Sequence, residues 1–269
     1  MKFSNYHQHT TFSDGKNTPE EIVLTAIDLG MESIGFSDHL LAPHEIGLGY
    51  NVITESTAPL YHSEIALLKQ KYGDKINVFK GVEADLFSIL DTSDYDFVIG
   101  SVHYLEHNGK IYPIDHTKKQ QLEYIDNACG GDLLKFFDNY FNAVYKCIKK
   151  YKPDIIGHFD VITKFSVFSE SDKEYQKIAC DYLEKCLKIT NRIEVNTGGV
   201  ARGFKSSPYP ADFILRRALE LGAEVILSSD SHNKDTIAFG FDSALSLIKK
   251  IGFRSITKLT DKGFIQDEL

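Results

Sequence analysis

His7-Gln8-His9 ends the apolar opening of the chain. On a β-strand, side chains two apart point to the same face, so this pair sets two imidazoles side by side. That is half of a metal site. Metal-ligating residue types then recur: Asp14 in Ser13-Asp14-Gly15, Asp38-His39, Glu83, His103, His158 and Asp230-Ser231-His232. Six of the ten histidines (His7, His9, His39, His103, His158, His232) fall at the ends of hydrophobic segments; His44, His62, His107 and His116 do not. One such histidine is commonly structural, but six spread over five strand ends point to a multinuclear metal centre. Glu83 closes Val78-Phe79-Lys80-Gly81-Val82-Glu83, and Asp230 closes Val225-Ile226-Leu227-Ser228-Ser229-Asp230. Isolated charges are costly to bury there, whereas a carboxylate can bridge two cations about 3.5–4 Å apart. Asp14 and Asp38 are either ligands or acceptors that orient an imidazole, and Asp14 also fits an ordinary Asp-Gly turn. Imidazole plus carboxylate without thiolate favours catalytic Zn, Mn or Fe over a structural zinc.

These residues need a frame that gathers strand ends. Apolar runs predict strands at Phe3–His9, Ser33–His39, Ile76–Glu83, Phe97–His103, Asp154–Phe159, Ile193–Thr197 and Glu224–Asp230. Most are continuously hydrophobic, the pattern of parallel strands covered by helices. Amphipathic patterns predict helices at Pro19–Leu29, Ala58–Tyr72, Asp132–Tyr151, Asp172–Thr190, Ala211–Leu221 and Asn233–Ile251. Thr18 and Glu21 form a capping box with Pro19 at the first helical position; Gly30 and Gly222 fit positions just past helix C-termini. The stretch Leu29–Asp38 is echoed by Leu221–Asp230, each running from helix end through glycine and strand to Ser-Asp. The expected fold class is α/β, a distorted seven-stranded (β/α)7 barrel in a single domain spanning residues 1–269, with its site at the C-terminal strand ends. Leu40–Thr57 and Tyr104–Gly131 fall outside the repeat and are expected to wall or cover that site.

The chain has 269 residues, 42% of them hydrophobic, ample for a buried core. A net charge of −8 is poorly suited to tracking a nucleic-acid backbone and suits an enzyme whose metal ions supply positive charge locally. No apolar run reaches membrane-span length. Cys129, Cys147, Cys180 and Cys186 lack CxxC spacing and read as small buried hydrophobes; with no signal-like start, the expected location is the cytoplasm.

With those residues in hand, the chain resembles the PHP (polymerase and histidinol phosphatase) family of metal-dependent phosphoesterases. The matching motifs are His7-Gln8-His9-Thr10 with Ser13-Asp14-Gly15, Gly35-Phe36-Ser37-Asp38-His39, Gly81-Val82-Glu83, Gly100-Ser101-Val102-His103, Gly157-His158 and Ser229-Asp230-Ser231-His232. Within the family, Asp96–Tyr104 and Ile193–Gly199 look like the stand-alone histidinol-phosphate phosphatase branch. The resemblance implies three divalent metal ions, with Zn, Mn and Fe left open. It implies that His7, His9, Glu83 and Asp230 hold one ion, that Glu83, His103 and His158 hold a second, and that Asp14, His39 and His232 hold the third. Some members carry His where this chain has Asp14.

The implied reaction is hydrolysis of L-histidinol phosphate to L-histidinol and phosphate, with a water bridging two cations attacking as hydroxide. Asp230, His232 and Arg202 are the expected catalytic residues, an Asp or His supplying the leaving-group proton. Arg202 and Lys205, in the loop Gly198–Lys205 after a strand end, are the expected phosphate contacts, although a solvated loop arginine fits the local sequence equally. The expected partner is a small phosphate ester; oligomeric state is left open. Competing readings are a PHP enzyme for another small ester or nucleotide, and a non-catalytic metal-binding protein with the same fold.

Overall fold

Short runs rich in Val, Ile and Phe become the parallel staves of a barrel, as their two-sided apolar character requires. The computed structural model describes residues 2–42 and 52–269. In chain order the strands are β1 (Ser4–Asn5), β2 (Ser33–Phe36), β3 (Asn77–Asp85), β4 (Phe97–Ser101), β5 (Tyr104–His107), β6 (Lys110–Pro113), β7 (Ile155–Ile156), β8 (Arg192–Asn196), β9 (Glu224–Ser228), β10 (Ser255–Thr260) and β11 (Gly263–Glu268). Seven of them form one parallel sheet in the order β1-β2-β3-β4-β7-β8-β9. A parallel bridge between Gln8 and Ser231 joins its two ends, with the His9 amide donating to the Ser231 carbonyl at 2.8 Å. The barrel therefore closes at its C-terminal mouth, between His7-x-His9 and Asp230-x-His232.

Among the described residues, eight helices surround the strands: α1 (Pro19–Asp28), α2 (Ala58–Tyr72), α3 (Lys118–Cys129), α4 (Leu133–Tyr151), α5 (Lys173–Leu187), α6 (Gly198–Ala201), α7 (Asp212–Glu220) and α8 (Phe241–Ile251). α1 begins with the expected box: Glu21 N donates to Thr18 Oγ1 at 3.3 Å, and Thr18 N donates to Glu21 Oε2 at 3.0 Å. Asp132 and Asp172 cap α4 and α5 by accepting first-turn amides. α4 buries Phe136, Phe137, Tyr140, Phe141, Val144 and Ile148 on one face, the i, i+4 stripe its sequence spells. Beneath the mouth, Tyr6, Phe79, Phe97, Ile99, Ile155, Ile226 and Leu259 pack as a separate apolar cluster. A Cβ at Gly81 would come within 2.1 Å of the Phe97 ring, so this glycine makes room for the plug.

Three elements depart from the sequence expectation. The helix predicted over Asn233–Ile251 splits into a 3-10 turn at Lys234–Thr236 and α8, because Gly240 takes the left-handed conformation (φ +71°). Tyr104–Gly131 contains the β5-β6 hairpin and α3, structure whose mixed polarity hid it from periodicity. The hairpin β10-β11, tied to the barrel by Leu259 N donating to Tyr6 OH at 2.9 Å, was not foreseen. Of Leu40–Thr57, residues 43–51, including His44 and Glu45, lie outside the described residues. Cys129, Cys147 and Cys186 are buried and Cys180 is half-buried, all as free thiols. Among the described residues, no helix is long and apolar enough to cross a membrane.

Candidate metal centre

Six of the seven barrel strands, all but β8, contribute a side chain at the mouth, and all six strand-end histidines meet there with three carboxylates. Glu83, 1% exposed, is the hub. Its Oε1 lies 3.0 Å from His158 Nε2 and 3.4 Å from both His7 Nε2 and His103 Nε2. Its Oε2 lies 3.1 Å from His39 Nδ1 and 3.6 Å from His9 Nε2. Asp230 Oδ1 is 3.4 Å from His9 Nε2 and 3.8 Å from His7 Nε2. Asp14 Oδ2 is 3.1 Å from His232 Nε2, and its Oδ1 is 3.6 Å from His9 Nδ1 and 3.8 Å from His39 Nε2. Asp230 carries a left-handed backbone (φ +48°), strain of the kind that accumulates where side chains are forced to converge.

Donor atoms gather into four overlapping sets, each within 4.8 Å: His7/His9/Asp230, His7/Glu83/His158, His39/Glu83/His103 and His9/Asp14/His39/His232. Their chemistry fits divalent cations. His7 Nε2, His9 Nε2 and Glu83 Oε2 are buried without a hydrogen-bond partner, and all three face this shared space. Nitrogens and oxygens stripped of partners at a common point are costly unless something cationic satisfies them. The grouping differs from that implied by the resemblance: His7 rather than His103 shares a set with Glu83 and His158, His103 joins His39 and Glu83, and His9 joins Asp14, His39 and His232.

Burial opposes the charged form of His103, yet Glu83, backed by Asp85 and Asp115, raises its pKa to about 10. Burial opposes protonation of His7 too, and Glu194, Glu83 and Asp230 overcome it, holding His7 well above the ordinary imidazole value. His9 moves the other way, lowered to about 3 by burial and by His232 and His39. Burial works against ionisation of Glu83, but His7, His103 and His39 keep it well below the usual carboxylate value. A cation entering this cluster must displace protons from His103 and His7. Apparent metal affinity will therefore rise with pH across the neutral range, towards about 10 where His103 yields its proton unaided. Calorimetric titration at pH 7 in buffers of different ionisation enthalpy checks this: the heat should depend on the buffer, and buffer-independent heat would contradict it.

Above the cluster opens a cavity of about 710 Å³. Its walls include Lys16, Tyr104, Asp115, His116, Lys164 and Arg202, so part of the Tyr104–Gly131 segment does border the site as expected. Arg202 reaches in from the turn after α6, its Nη2 2.8 Å from Asp230 Oδ2 and its Nη1 2.8 Å from the Asp230 carbonyl. Lys205 is a correction: its ammonium is held by Glu170 and by Thr163 Oγ1 at 2.9 Å, and it does not line the cavity. Asp38 stands outside the donor sets, accepting from Thr10 N at 2.7 Å and Ser13 Oγ at 2.6 Å, so it anchors the loop that carries Asp14. His116 lines the cavity without lying on a barrel strand end, while His62 and His107 lie outside its lining. Two second-row acids escaped the sequence pattern. Asp85 accepts the His103 amide at 2.7 Å, and Glu194 accepts from His7 Nδ1 at 2.8 Å. Glu194 carried the same signal as Glu83, a charge inside an apolar strand.

A model of the PHP domain matches residues 5–198, most of the chain. The chain belongs to the PHP domain family. It is 29% identical to the probable histidinol-phosphatase of Deinococcus radiodurans, over 93% of this chain and 94% of that protein. It is 28% identical to the probable histidinol-phosphatase of Schizosaccharomyces pombe, over 91% of this chain and 84% of that one. The fold is similar to the crystal structure of histidinol phosphate phosphatase from Lactococcus lactis complexed with Zn, L-histidinol and phosphate. That likeness has a TM-score of 0.72 at 24% identity and covers 98% of this chain and 99% of that one. Seven parallel strands in a distorted PHP-type barrel are thus the family's fold as well as the observed one.

Proposed function

We propose that this protein is a metal-dependent phosphomonoesterase that hydrolyses L-histidinol phosphate to L-histidinol and phosphate at a centre of three divalent cations. The observation that carries the proposal is Glu83, with five imidazoles within 3.6 Å of its two oxygens. In this reading His7, His9, Asp14, His39, Glu83, His103, His158, Asp230 and His232 are the ligands. The substrate is supported by relatives named histidinol-phosphatase that span nearly the whole chain. When bound, the cations would supply a water acidified to near neutrality and positive charge against the phosphoryl oxygens.

The chain's own residues do the rest. Arg202, beside Asp230 at the cavity edge, would offer its planar guanidinium to the phosphate oxygens of a bound ester. Its second contact, to the Asp230 carbonyl, holds the strained ligand loop in place. Asp14 and His232, 3.1 Å apart and partly exposed to the cavity, are both ligands in this reading, so the departing alkoxide would take its proton from water in the cavity. The cavity walls carry both signs, Lys16, Lys164 and Arg202 against Asp14 and Asp115, as a phosphate ester with a protonated amine demands.

Arg202→Ala should lower kcat/KM on the phosphate ester by about 10²-fold, and Arg202→Lys should recover little because a point charge cannot reproduce the fork. Wild-type steady-state kinetics in Arg202→Ala would make it a solvated loop residue. For the substrate, kcat/KM on L-histidinol phosphate should exceed that on phosphoserine, p-nitrophenyl phosphate and AMP by about 10²-fold or more. Preference for AMP or another ester would displace histidinol phosphate but leave the phosphoesterase. A metal-loaded protein that turns over none of them would be a binding protein with the family fold.

A further inference from the structure

Glu194 of β8 is fully buried beneath the metal cluster and belongs to none of the donor sets. Its Oε2 lies 2.8 Å from His7 Nδ1 and accepts from Ser228 Oγ at 2.5 Å. Its Oε1 accepts from the backbone N–H of His158 and from Asn196 Nδ2 at 2.9 Å. One carboxylate thus ties the ends of four neighbouring staves, β1, β7, β8 and β9, and grips two residues, His7 and His158, that share a donor set with Glu83.

An ionised carboxylate only accepts, so the ring nitrogen facing it must carry the proton. Once a cation has displaced the second proton, the lone pair of His7 Nε2 lies on the side facing Glu83 Oε1 at 3.4 Å and Asp230 Oδ1 at 3.8 Å. His158 has no such backing, since its Nδ1 is buried without a hydrogen-bond partner. His9 Nδ1 has only distant neighbours, the Ser13 hydroxyl at 3.4 Å and Asp14 Oδ1 at 3.6 Å. His103 has a looser version, with Asp85 at 3.5 Å. Charge-assisted backing of a ligating imidazole fixes its tautomer and ring plane and raises its basicity.

We infer that Glu194 is a positioning residue that locks His7 in its Nδ1-protonated form and thereby sets the affinity of the cation that His7 helps to hold. The inference rests on the metal-centre reading. Glu194→Gln is the informative change, because the carboxamide keeps the size but offers one accepting oxygen where the carboxylate offers two. One of its ends must then turn an NH2 towards donors.

The test titrates Mn-loaded protein with a competing chelator and follows metal content per chain, with circular dichroism to verify the fold. Wild type should hold its full complement, and Glu194→Gln should release one ion per chain at about 10- to 100-fold lower chelator strength. An unchanged titration in folded Glu194→Gln overturns the inference. A second measurement needs no variant: in Zn-loaded, 15N-histidine-labelled wild type, His7 should show a protonated Nδ1 and a metal-bound Nε2. The opposite pattern overturns the inference even if Glu194→Gln fails to fold. Wild-type protein that binds neither cation removes the metal-centre reading itself, and the inference with it.

Discussion

Removal of divalent cations will reduce phosphomonoester hydrolysis to background, a loss of about 10⁴-fold or more, and readdition of Mn or Zn will restore it. The magnitude follows from losing both the near-neutral nucleophile and several kcal/mol of charge stabilisation on the phosphoryl group. Among the described residues the cavity offers, beyond its imidazoles, only Lys16, Lys164 and Arg202 as cations, and none of them can generate the nucleophile. Arg202 is its best-placed cation, yet that guanidinium is already paired with Asp230. The barrel itself should survive chelation, because its interior cluster and the α4 face are apolar and lie away from the donors. Far-UV circular dichroism unchanged alongside abolished turnover is the expected pair of results. Turnover that persists after complete metal removal would sink the mechanism.

Glu83→Gln carries the second large effect. The native carboxylate spans both halves of the cluster, Oε1 towards His158, His7 and His103, Oε2 towards His39 and His9. A carboxamide presents one oxygen and one NH2, so it cannot bridge, and its NH2 faces imidazole lone pairs wherever it turns. Turnover should fall by about 10³-fold or more, with more than one cation lost per chain. The variant has a second signature. Glu83 is the leading influence that raises His103 against the opposing pull of burial, so without it His103 falls from about 10 towards neutral imidazole. Proton release on metal loading at pH 7 should shrink accordingly, a change that simple loss of fold would not mimic. A Glu83→Gln protein with native metal content and native kcat would remove Glu83 from the centre.

The parts of this molecule that could be read from sequence share a physical cause: each signal was local and each was costly to violate. His7-x-His9 and Asp230-x-His232 stand on apolar strands where polar side chains need a reason to be, and the structure bridges those two strand ends to each other. Thr18, Pro19 and Glu21 announced α1 because unsatisfied amides at a helix start select few residue types. The echo between Leu29–Asp38 and Leu221–Asp230 was real in backbone, with Gly30 and Gly222 both at positive φ, yet the two aspartates diverged. Asp38 anchors Thr10 and Ser13 whereas Asp230 joins the imidazoles, a difference set by what the neighbouring strands supply.

What stayed hidden depended on distant partners. Lys205 looked like a phosphate contact beside Arg202, but Glu170 sits thirty-five residues away in sequence and takes its ammonium. The helix predicted from Asn233 failed at Gly240, where a left-handed residue outweighs an amphipathic pattern. The wall of the cavity was legible only as an interruption, because Asp115, His116 and Lys164 are brought together by the β5-β6 hairpin and the turn after β7 rather than by any periodic run.

The most direct measurement is anomalous X-ray scattering from crystals of the protein reconstituted with Mn in the presence of phosphate. A phosphoesterase centre at the strand ends predicts three anomalous peaks within the cluster of His7, His9, Asp14, His39, Glu83, His103, His158, Asp230 and His232, with Glu83 touching two of them and phosphate between the peaks and Arg202. Peaks confined to the protein surface, or a cluster left without scattering at saturating Mn, would contradict it.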